Sequence, residues 1–123
     1  MAKNNSVLIV EDDSFQAHLL KMLLATLGYE VLAVTSTGEE AVDFASKLKP
    51  QLIFMDIALA GEIDGIEAVK RINAELSSIK IIYLTSNSDS SHKNRAESIG
   101  FDDFLIKPIN KKILVDSLSK VLQ

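Results

Sequence analysis

Residues 7–14 read VLIVEDDS, in which four apolar residues run directly into three carboxylates, Glu11, Asp12 and Asp13. An unbroken apolar run is typical of a strand that is covered on both faces of a parallel sheet. Adjacent acids repel one another, because two like charges about 5 Å apart cost about 3 kcal/mol at an effective dielectric of about 20. We therefore expect that something compensates this repulsion or that the acids separate into solvent.

The apolar run at 7–10 opens an alternation of strand-like and helix-like segments along the whole chain. Strict alternation with short connections is typical of parallel strands joined by right-handed crossover helices. Three strands are apolar throughout, whereas the second and fifth are shorter or bounded by charge and suit the edges. We therefore predict an α/β flavodoxin-like fold, a doubly wound five-stranded parallel sheet in the order 2-1-3-4-5 with five helices. The predicted strands are 6–10, 30–34, 51–55, 80–84 and 103–106, and the predicted helices are 14–27, 39–48, 65–76, 90–99 and 110–122.

Length and composition indicate an ordinary globular protein, which we expect to be a single domain over 1–123. Of its 123 residues 47% are hydrophobic, and glycine and proline are sparse. The absence of cysteine excludes disulfides, thiolate catalysis and cysteine-based zinc sites. No signal peptide or long apolar run is present, so a cytoplasmic location without membrane insertion is expected. The net charge of −4 and the scattered basic residues argue against direct binding of nucleic acid.

The first predicted helix has an apolar stripe and an opposite polar side that includes Ser14, His18 and Lys21. Apolar residues three and four positions apart are typical of an amphipathic helix. His18 and His92 are expected to be exposed and without a role, because neither has partner acids or a second histidine at metal-ligand spacing. The stripe consists of Phe15, Leu19, Met22 and Leu23, with Leu20, Leu24 and Leu27 beside it.

Polar residues follow four of the predicted strands, and these residues form the candidate site. The carboxyl ends of parallel strands lie along one edge of a sheet, and ligands bind there at the switch in strand order. We therefore expect carboxylates, a hydroxyl and an ammonium to meet in one pocket. The residues at these strand ends are Glu11, Asp12, Asp56, Thr85, Ser86 and Lys107.

Each of these residues also has a purely structural interpretation. Either Asp12 or Asp13 can cap the first helix, and Asp13 is the better candidate for a cap alone. Taken singly, Asp56 would be a loop acid and Thr85 an ordinary strand-end residue, while Lys107 can extend its charge into solvent. The coincidence of complementary side chains at four strand ends favours a shared site.

Five motifs in chain order resemble the signature of response-regulator receiver domains, the phosphoacceptor modules of two-component signalling. The motifs are LIVEDD (8–13), FMDIAL (54–59), Asp64-Gly65, YLTS (83–86) and FLIKPI (104–109). Each is weak alone, but together they extend from the first strand to the last helix. The resemblance implies a fold similar to that of the chemotaxis regulator.

The resemblance implies that Asp56 accepts a phosphoryl group from a phosphohistidine kinase or a small acyl phosphate in a Mg²⁺-dependent reaction. Asp12 and Asp56 would ligate the ion directly, Glu11 through water and Ala58 through its backbone carbonyl. Mn²⁺ can substitute for Mg²⁺ in such a site. A divalent cation would also offset the crowding of acids in VLIVEDDS.

The resemblance further implies a conformational switch. Lys107 would pair first with Asp56 and then with the phosphoryl oxygens, and the Thr85 hydroxyl would hydrogen-bond the phosphoryl group. Phe104 would then move from an outward to an inward position, unless it is simply a core aromatic residue. The peptide bond before Pro108 is expected to be cis.

The chain departs from the family pattern in the loop after the phosphoacceptor. Ala60 replaces a frequent proline, and GEID (61–64) lengthens the loop slightly. Ala58 and Asn87 stand at positions that tune the access of water, so the lifetime of the phosphoryl group is left open. The small Ser86 would leave a path for the donor.

The function favoured by the resemblance is a phosphorylation-controlled switch that is not an enzyme. A histidine kinase or histidine phosphotransferase would donate the phosphoryl group, and a downstream protein would bind the helix 4, strand 5 and helix 5 surface. Only 14 residues follow Ile109, so we expect output through a partner protein. The unphosphorylated domain is expected to be a monomer.

Three alternative functions make different demands on these residues. A phosphorelay intermediate would use the same pocket and pass the phosphoryl group on to a histidine phosphotransferase. An aspartyl-phosphate phosphatase would need a second acid two residues after its nucleophile, where Ala58 stands. A flavin-binding module would need a phosphate-cradling loop after the first strand, where the three acids would repel the phosphate.

Overall fold

The computed structural model describes residues 5–86 and 90–122, which form a five-stranded parallel sheet between two layers of helices. The strand order β2-β1-β3-β4-β5 is the predicted one, and the second and fifth strands are its edges. Each predicted boundary lies within one residue of the observed one. The elements are β1 (Ser6–Val10), α1 (Ser14–Thr26), β2 (Glu30–Thr35), α2 (Gly38–Leu48), β3 (Leu52–Asp56), α3 (Gly65–Glu75), β4 (Lys80–Thr85), α4 (Ser90–Ile99), β5 (Asp103–Ile106) and α5 (Lys111–Leu122).

Helices α1 and α2 both begin at a side-chain cap. The Asp13 carboxylate accepts the Gln16 N–H at 3.0 Å, which confirms Asp13 as the cap of α1. Thr37 Oγ1 accepts the Glu40 N–H at 3.1 Å, and the Glu40 carboxylate accepts from the Thr37 hydroxyl in return. Such caps satisfy N–H groups that have no partner inside the helix.

The core consists of two layers, one on each face of the sheet. Because successive side chains of a strand point to opposite faces, Leu8 and Val10 enter one layer while Val7 and Ile9 enter the other. Residues of α2, α3 and α4 complete the first layer, and residues of α1 and α5 complete the second. All residues of β1 and β3 are buried, as expected for central strands.

The apolar stripe of α1 is wider than the face that the helix buries. The residues that α1 buries are Ala17, Leu20 and Leu24. Leu23 and Leu27 are partly buried and pack against the core, whereas three other apolar residues are exposed, Phe15 to 74%. We call this exposed group the α1 apolar patch, and it consists of Phe15, Leu19 and Met22.

The two histidines have different surroundings. His18 is exposed, as predicted. The same prediction was wrong for His92, which is half-buried and whose Nδ1 has no hydrogen-bond partner among the described residues.

In the described part of the chain, no helix is long and apolar enough to cross a bilayer.

Candidate functional site

Three strand ends bring a lysine and two acids into contact at the carboxyl edge of the sheet. Lys107, just after β5, places Nζ 2.5 Å from Glu11 Oε1 and 3.1 Å from Asp56 Oδ2. Each of the three side chains is at most 10% exposed. The contacts join residues 96 and 51 positions apart, so the sheet topology creates them rather than any local turn.

Burial and charge act against each other in this cluster. Burial raises the pKa of Glu11, and its contact with the Asp56 carboxyl raises it further, while Lys107 and the Asp13 N–H lower it. Burial alone would lower the pKa of Lys107, but its hydrogen bond to Glu11 and the charge of Asp56 outweigh burial and raise it. Lys107 therefore remains an ammonium ion and supplies the positive charge that the crowded acids require.

The carboxylates of Glu11, Asp12 and Asp56 form a potential metal site. Each offers an oxygen that lies within 4.8 Å of the other two, and no other such group occurs in residues 5–86 and 90–122. Glu11 and Asp56 are buried, whereas Asp12 is exposed, so the cluster opens to solvent on one side. A set of hard oxygen donors with room for water fits the preferences of Mg²⁺.

The loop after β3 fits tightly against the candidate phosphoacceptor. A β-carbon on Gly65 would lie 2.1 Å from the carbonyl oxygen of Asp56, so only glycine allows the start of α3 to approach this closely. The preceding Asp64 caps α3 by accepting the Glu67 N–H at 2.9 Å. The Ala58 N–H donates to Asp56 Oδ1 at 3.2 Å. The Asp64-Gly65 pair therefore has a physical role in holding Asp56.

The predicted switch residues lie on neighbouring strands. Thr85 is buried at the end of β4, and its carbonyl accepts the Lys107 N–H at 2.7 Å. Phe104 is half-buried, with its ring centroid 6.1 Å from that of Tyr83 and 5.7 Å from that of Phe101. The inward movement of Phe104 remains a prediction.

The other predicted site residues surround this cluster. Ala58 and Ser86 are both exposed, at the ends of β3 and β4 where a donor would approach. The peptide bond between Lys107 and Pro108 is cis, as predicted. Asn87 lies outside the described residues.

Sequence reasoning missed an ion pair between α4 and the loop that connects β3 to α3. Arg95 of α4 places Nη1 2.9 Å from Oδ2 of Asp64. Tyr83 is fully buried nearby, its pKa is raised by burial and by the charge of Asp64, and its hydroxyl has no hydrogen-bond partner within the described structure. No local pattern could reveal this contact, because 31 positions separate Asp64 from Arg95.

A family model for the response regulator receiver domain matches residues 7–119. The chain therefore belongs to the receiver-domain family of two-component response regulators. The family assignment agrees with the sheet order and with the acidic cluster at the carboxyl edge.

The similar proteins include chemotaxis regulators. The chain is 36% identical to the chemotaxis protein CheY of Thermotoga maritima over 115 residues, which cover 94% of this chain and 95% of that protein. It superimposes with a TM-score of 0.88 on the signal receiver domain of a modulated diguanylate cyclase from Desulfovibrio desulfuricans, at 38% identity over 95% of this chain and 92% of that one. CheY4 of Vibrio cholerae gives a TM-score of 0.85 at 27% identity over 94% and 97% of the two chains.

Proposed function

We propose that this receiver domain is a phosphorylation-controlled switch in which Asp56 is the phosphoacceptor. The observation that carries the proposal is the contact of buried Lys107 with both Asp56 and Glu11, beside a third acid at metal-ligand distance. A buried ammonium next to a strand-end carboxylate stabilises the negative charge of an arriving phosphoryl group. The donor would be a phosphohistidine of a kinase or phosphotransferase, or a small acyl phosphate.

The reaction is a phosphoryl transfer onto the Asp56 carboxylate. One carboxylate oxygen forms a bond to phosphorus while the bond from phosphorus to the donor breaks, and the donor leaves with that electron pair. When bound, Mg²⁺ would offset the negative charge shared by the carboxylates and the phosphoryl oxygens, and Mn²⁺ would serve the same purpose. Asp12 and Asp56 would hold the ion directly, Glu11 through water and Ala58 through its carbonyl.

Lys107 and Thr85 would connect this event to the surface. Lys107 changes partner from a carboxylate to a phosphoryl oxygen, while the Thr85 hydroxyl turns toward the same group. Phe104 then moves into the space that Thr85 leaves, and the face formed by α4, β5 and α5 changes shape. Ile106 on this face is 50% exposed, so an apolar contact for a downstream protein is already present.

The donor would dock on the α1 apolar patch. A cleft of about 170 Å³ separates α1 from the β5–α5 loop and reaches Lys107. Phe15 and Leu19 line one side of this cleft, and Pro108 and Ile109 line the other. A helix that presents a phosphohistidine next to apolar side chains would match this surface. A cytoplasmic location would give the domain access to such a donor.

Labelling with acetyl phosphate in the presence of Mg²⁺ tests the proposal directly. The wild-type protein should gain one phosphoryl group, as measured by intact mass, and Asp56→Asn should gain none. Asp13→Asn is the matched control, because asparagine keeps the helix cap and Asp13 lies outside the proposed ligand set. Full labelling of the Asp56→Asn protein would place the acceptor elsewhere.

A further inference from the structure

The loop between β3 and α3 is held from the side by the start of α2. Thr37 and Ala60 form an isolated parallel bridge between the β2–α2 connection and this loop. Two residues further along α2, the Glu39 carboxylate accepts the N–H groups of Glu62 and Ile63, each at 3.4 Å. A single carboxylate therefore spans two successive amides of the loop that contains GEID.

The two segments fit closely because two glycines lie between them. Gly61 has a φ of +99°, and a β-carbon there would lie 3.0 and 3.2 Å from the two oxygens of Glu39. A β-carbon on Gly38 would lie 2.6 Å from a side-chain atom of Ile63. Successive amides next to a residue with positive φ form a concavity that accepts an anion, and here the anion is the Glu39 side chain.

The ends of the same loop are fixed to the sheet and to α3. The Ile57 N–H donates to the Leu84 carbonyl at 3.1 Å, and the Gly65 N–H donates to the Ile57 carbonyl at 2.9 Å. Ala58 follows immediately and is exposed. Its carbonyl therefore lies between a fixed end of the loop and the segment that Glu39 holds.

We propose that Glu39 is a positioning residue for the metal site, which sets the Ala58 carbonyl by holding the Gly61–Ile63 segment against α2. The proposal rests on the proposed function, because it requires that Mg²⁺ binds at Glu11, Asp12 and Asp56. Glu39 is not part of the acidic cluster that would hold the ion. Glu39 would keep the β3–α3 loop in one conformation before the ion binds. This lowers the conformational entropy that the loop loses on binding.

The test compares Glu39→Ala with Glu39→Gln in Mg²⁺ titrations followed by backbone amide chemical shifts. Both variants remove the same charge, but glutamine keeps one side-chain oxygen, which can still accept one of the two loop amides. Glu39→Ala should weaken Mg²⁺ binding by about tenfold, within the range for residues that orient metal ligands, and Glu39→Gln should weaken it clearly less, because one of the two contacts can remain. The amides of both Glu62 and Ile63 should exchange with solvent faster in Glu39→Ala, and only one of them should do so in Glu39→Gln.

A variant on the other side of the contact provides a second test. Gly61→Ala keeps Glu39 but sets a β-carbon against its carboxylate, and it should also weaken Mg²⁺ binding. Each variant should retain a cooperative thermal transition, because Glu39 is exposed and the cap of α2 is formed by Thr37 and Glu40.

The outcomes separate this inference from the proposed function. Equal Mg²⁺ affinity of Glu39→Ala and wild type would overturn the positioning role alone. Equal weakening in Glu39→Ala and Glu39→Gln would also overturn it, because the effect would then be one of charge. A wild-type protein that neither binds Mg²⁺ nor labels on Asp56 would overturn the proposed function and the inference together.

Discussion

Lys107 and Glu11 form the shortest ion pair in the described part of the chain, with 2.5 Å between Nζ and Oε1. The same ammonium also reaches Asp56, so one buried cation holds acids from β3 and from the end of β1. Removing one partner of a buried ion pair leaves an uncompensated charge in the interior, which strongly lowers the free energy of unfolding.

Lys107→Ala should leave two buried carboxylates without their cation. We expect a loss of roughly 3 kcal/mol in the free energy of unfolding without Mg²⁺, and a partial recovery with it. The variant should still label on Asp56 with acetyl phosphate, but phosphorylation should no longer change the affinity for a downstream partner. Denaturant unfolding and partner titrations measure the two effects, and an unaltered phosphorylation-dependent affinity would contradict the role of Lys107.

Mg²⁺ should raise the unfolding temperature, because it binds the folded state and not the unfolded chain. At a concentration about 100 times the dissociation constant the gain is about 2.7 kcal/mol. Asp12→Ala should lose most of this gain, whereas Asp13→Asn should keep it. Calorimetry with and without the ion measures both, and an undiminished gain in Asp12→Ala would move the metal to another site.

Gly65→Ala should disturb the reacting residue through its backbone. The new β-carbon would meet the Asp56 carbonyl at 2.1 Å, so we expect a destabilisation of about 2 kcal/mol or more and slower labelling. Gly28→Ala is the matched control, because Gly28 has a φ of +90° but nothing within 4 Å of a β-carbon. It should lose about 1 kcal/mol from backbone strain and label normally. Equal labelling rates in both variants would argue against the contact.

Phe15→Ser should separate docking from chemistry. Loss of an apolar contact at the rim of the cleft should lower the rate of transfer from a histidine kinase or phosphotransferase by about tenfold. Labelling by acetyl phosphate, which needs no docking surface, should not change. Val34→Thr serves as the control, because Val34 is exposed on β2 outside the α1 apolar patch. If both donors responded alike to Phe15→Ser, the patch would have no docking role.

Asp103 should make a pH-dependent contribution to stability. Partial burial would raise its pKa, but hydrogen bonds from Ser117 Oγ, the Phe104 N–H and Lys120 Nζ outweigh it, so its pKa lies below 3.8. The folded state therefore binds this proton less readily than the unfolded chain, and the stabilisation is complete above pH 3.8 and disappears as the pH falls through the lowered value.

Asp103→Asn should accordingly lose about 1 kcal/mol at neutral pH and match wild type in strong acid. Asp116→Asn, which breaks an exposed pair with Lys112, should show a loss of only about 0.3–0.5 kcal/mol at neutral pH. Denaturant unfolding across the acid range measures both variants. A constant deficit of Asp103→Asn at every pH would mean that its charge has no part in the effect.

The sheet and the cluster of acids with Lys107 could be predicted because they follow from periodicity and from strand-end chemistry. The apolar character of β1 and β3 identifies central strands, and parallel topology then brings their polar ends together. The resemblance to receiver domains supplied the roles, such as that of Ala58, which composition alone does not indicate.

Other features depend on packing that no local pattern encodes. The stripe of α1 is apolar over a wider arc than its buried flank, so periodicity could not tell that Phe15 faces solvent. The partial burial of His92 depends on how α4 packs in the fold. The hydrogen bonds from the β3–α3 loop to the Glu39 carboxylate join residues 23 and 24 positions apart. These contacts are set by the tertiary structure of this chain.

The four residues of β5 are anchored at both ends by charge. Asp103 at the start is tied to α5 through Ser117 and Lys120, and Lys107 just past the end is tied to the acids of the site. An extended strand cannot lengthen, since each residue already spans about 3.3 Å. A displacement of Lys107 along the strand would therefore be transmitted through β5 to Asp103, and from there to Ser117 and Lys120 of α5.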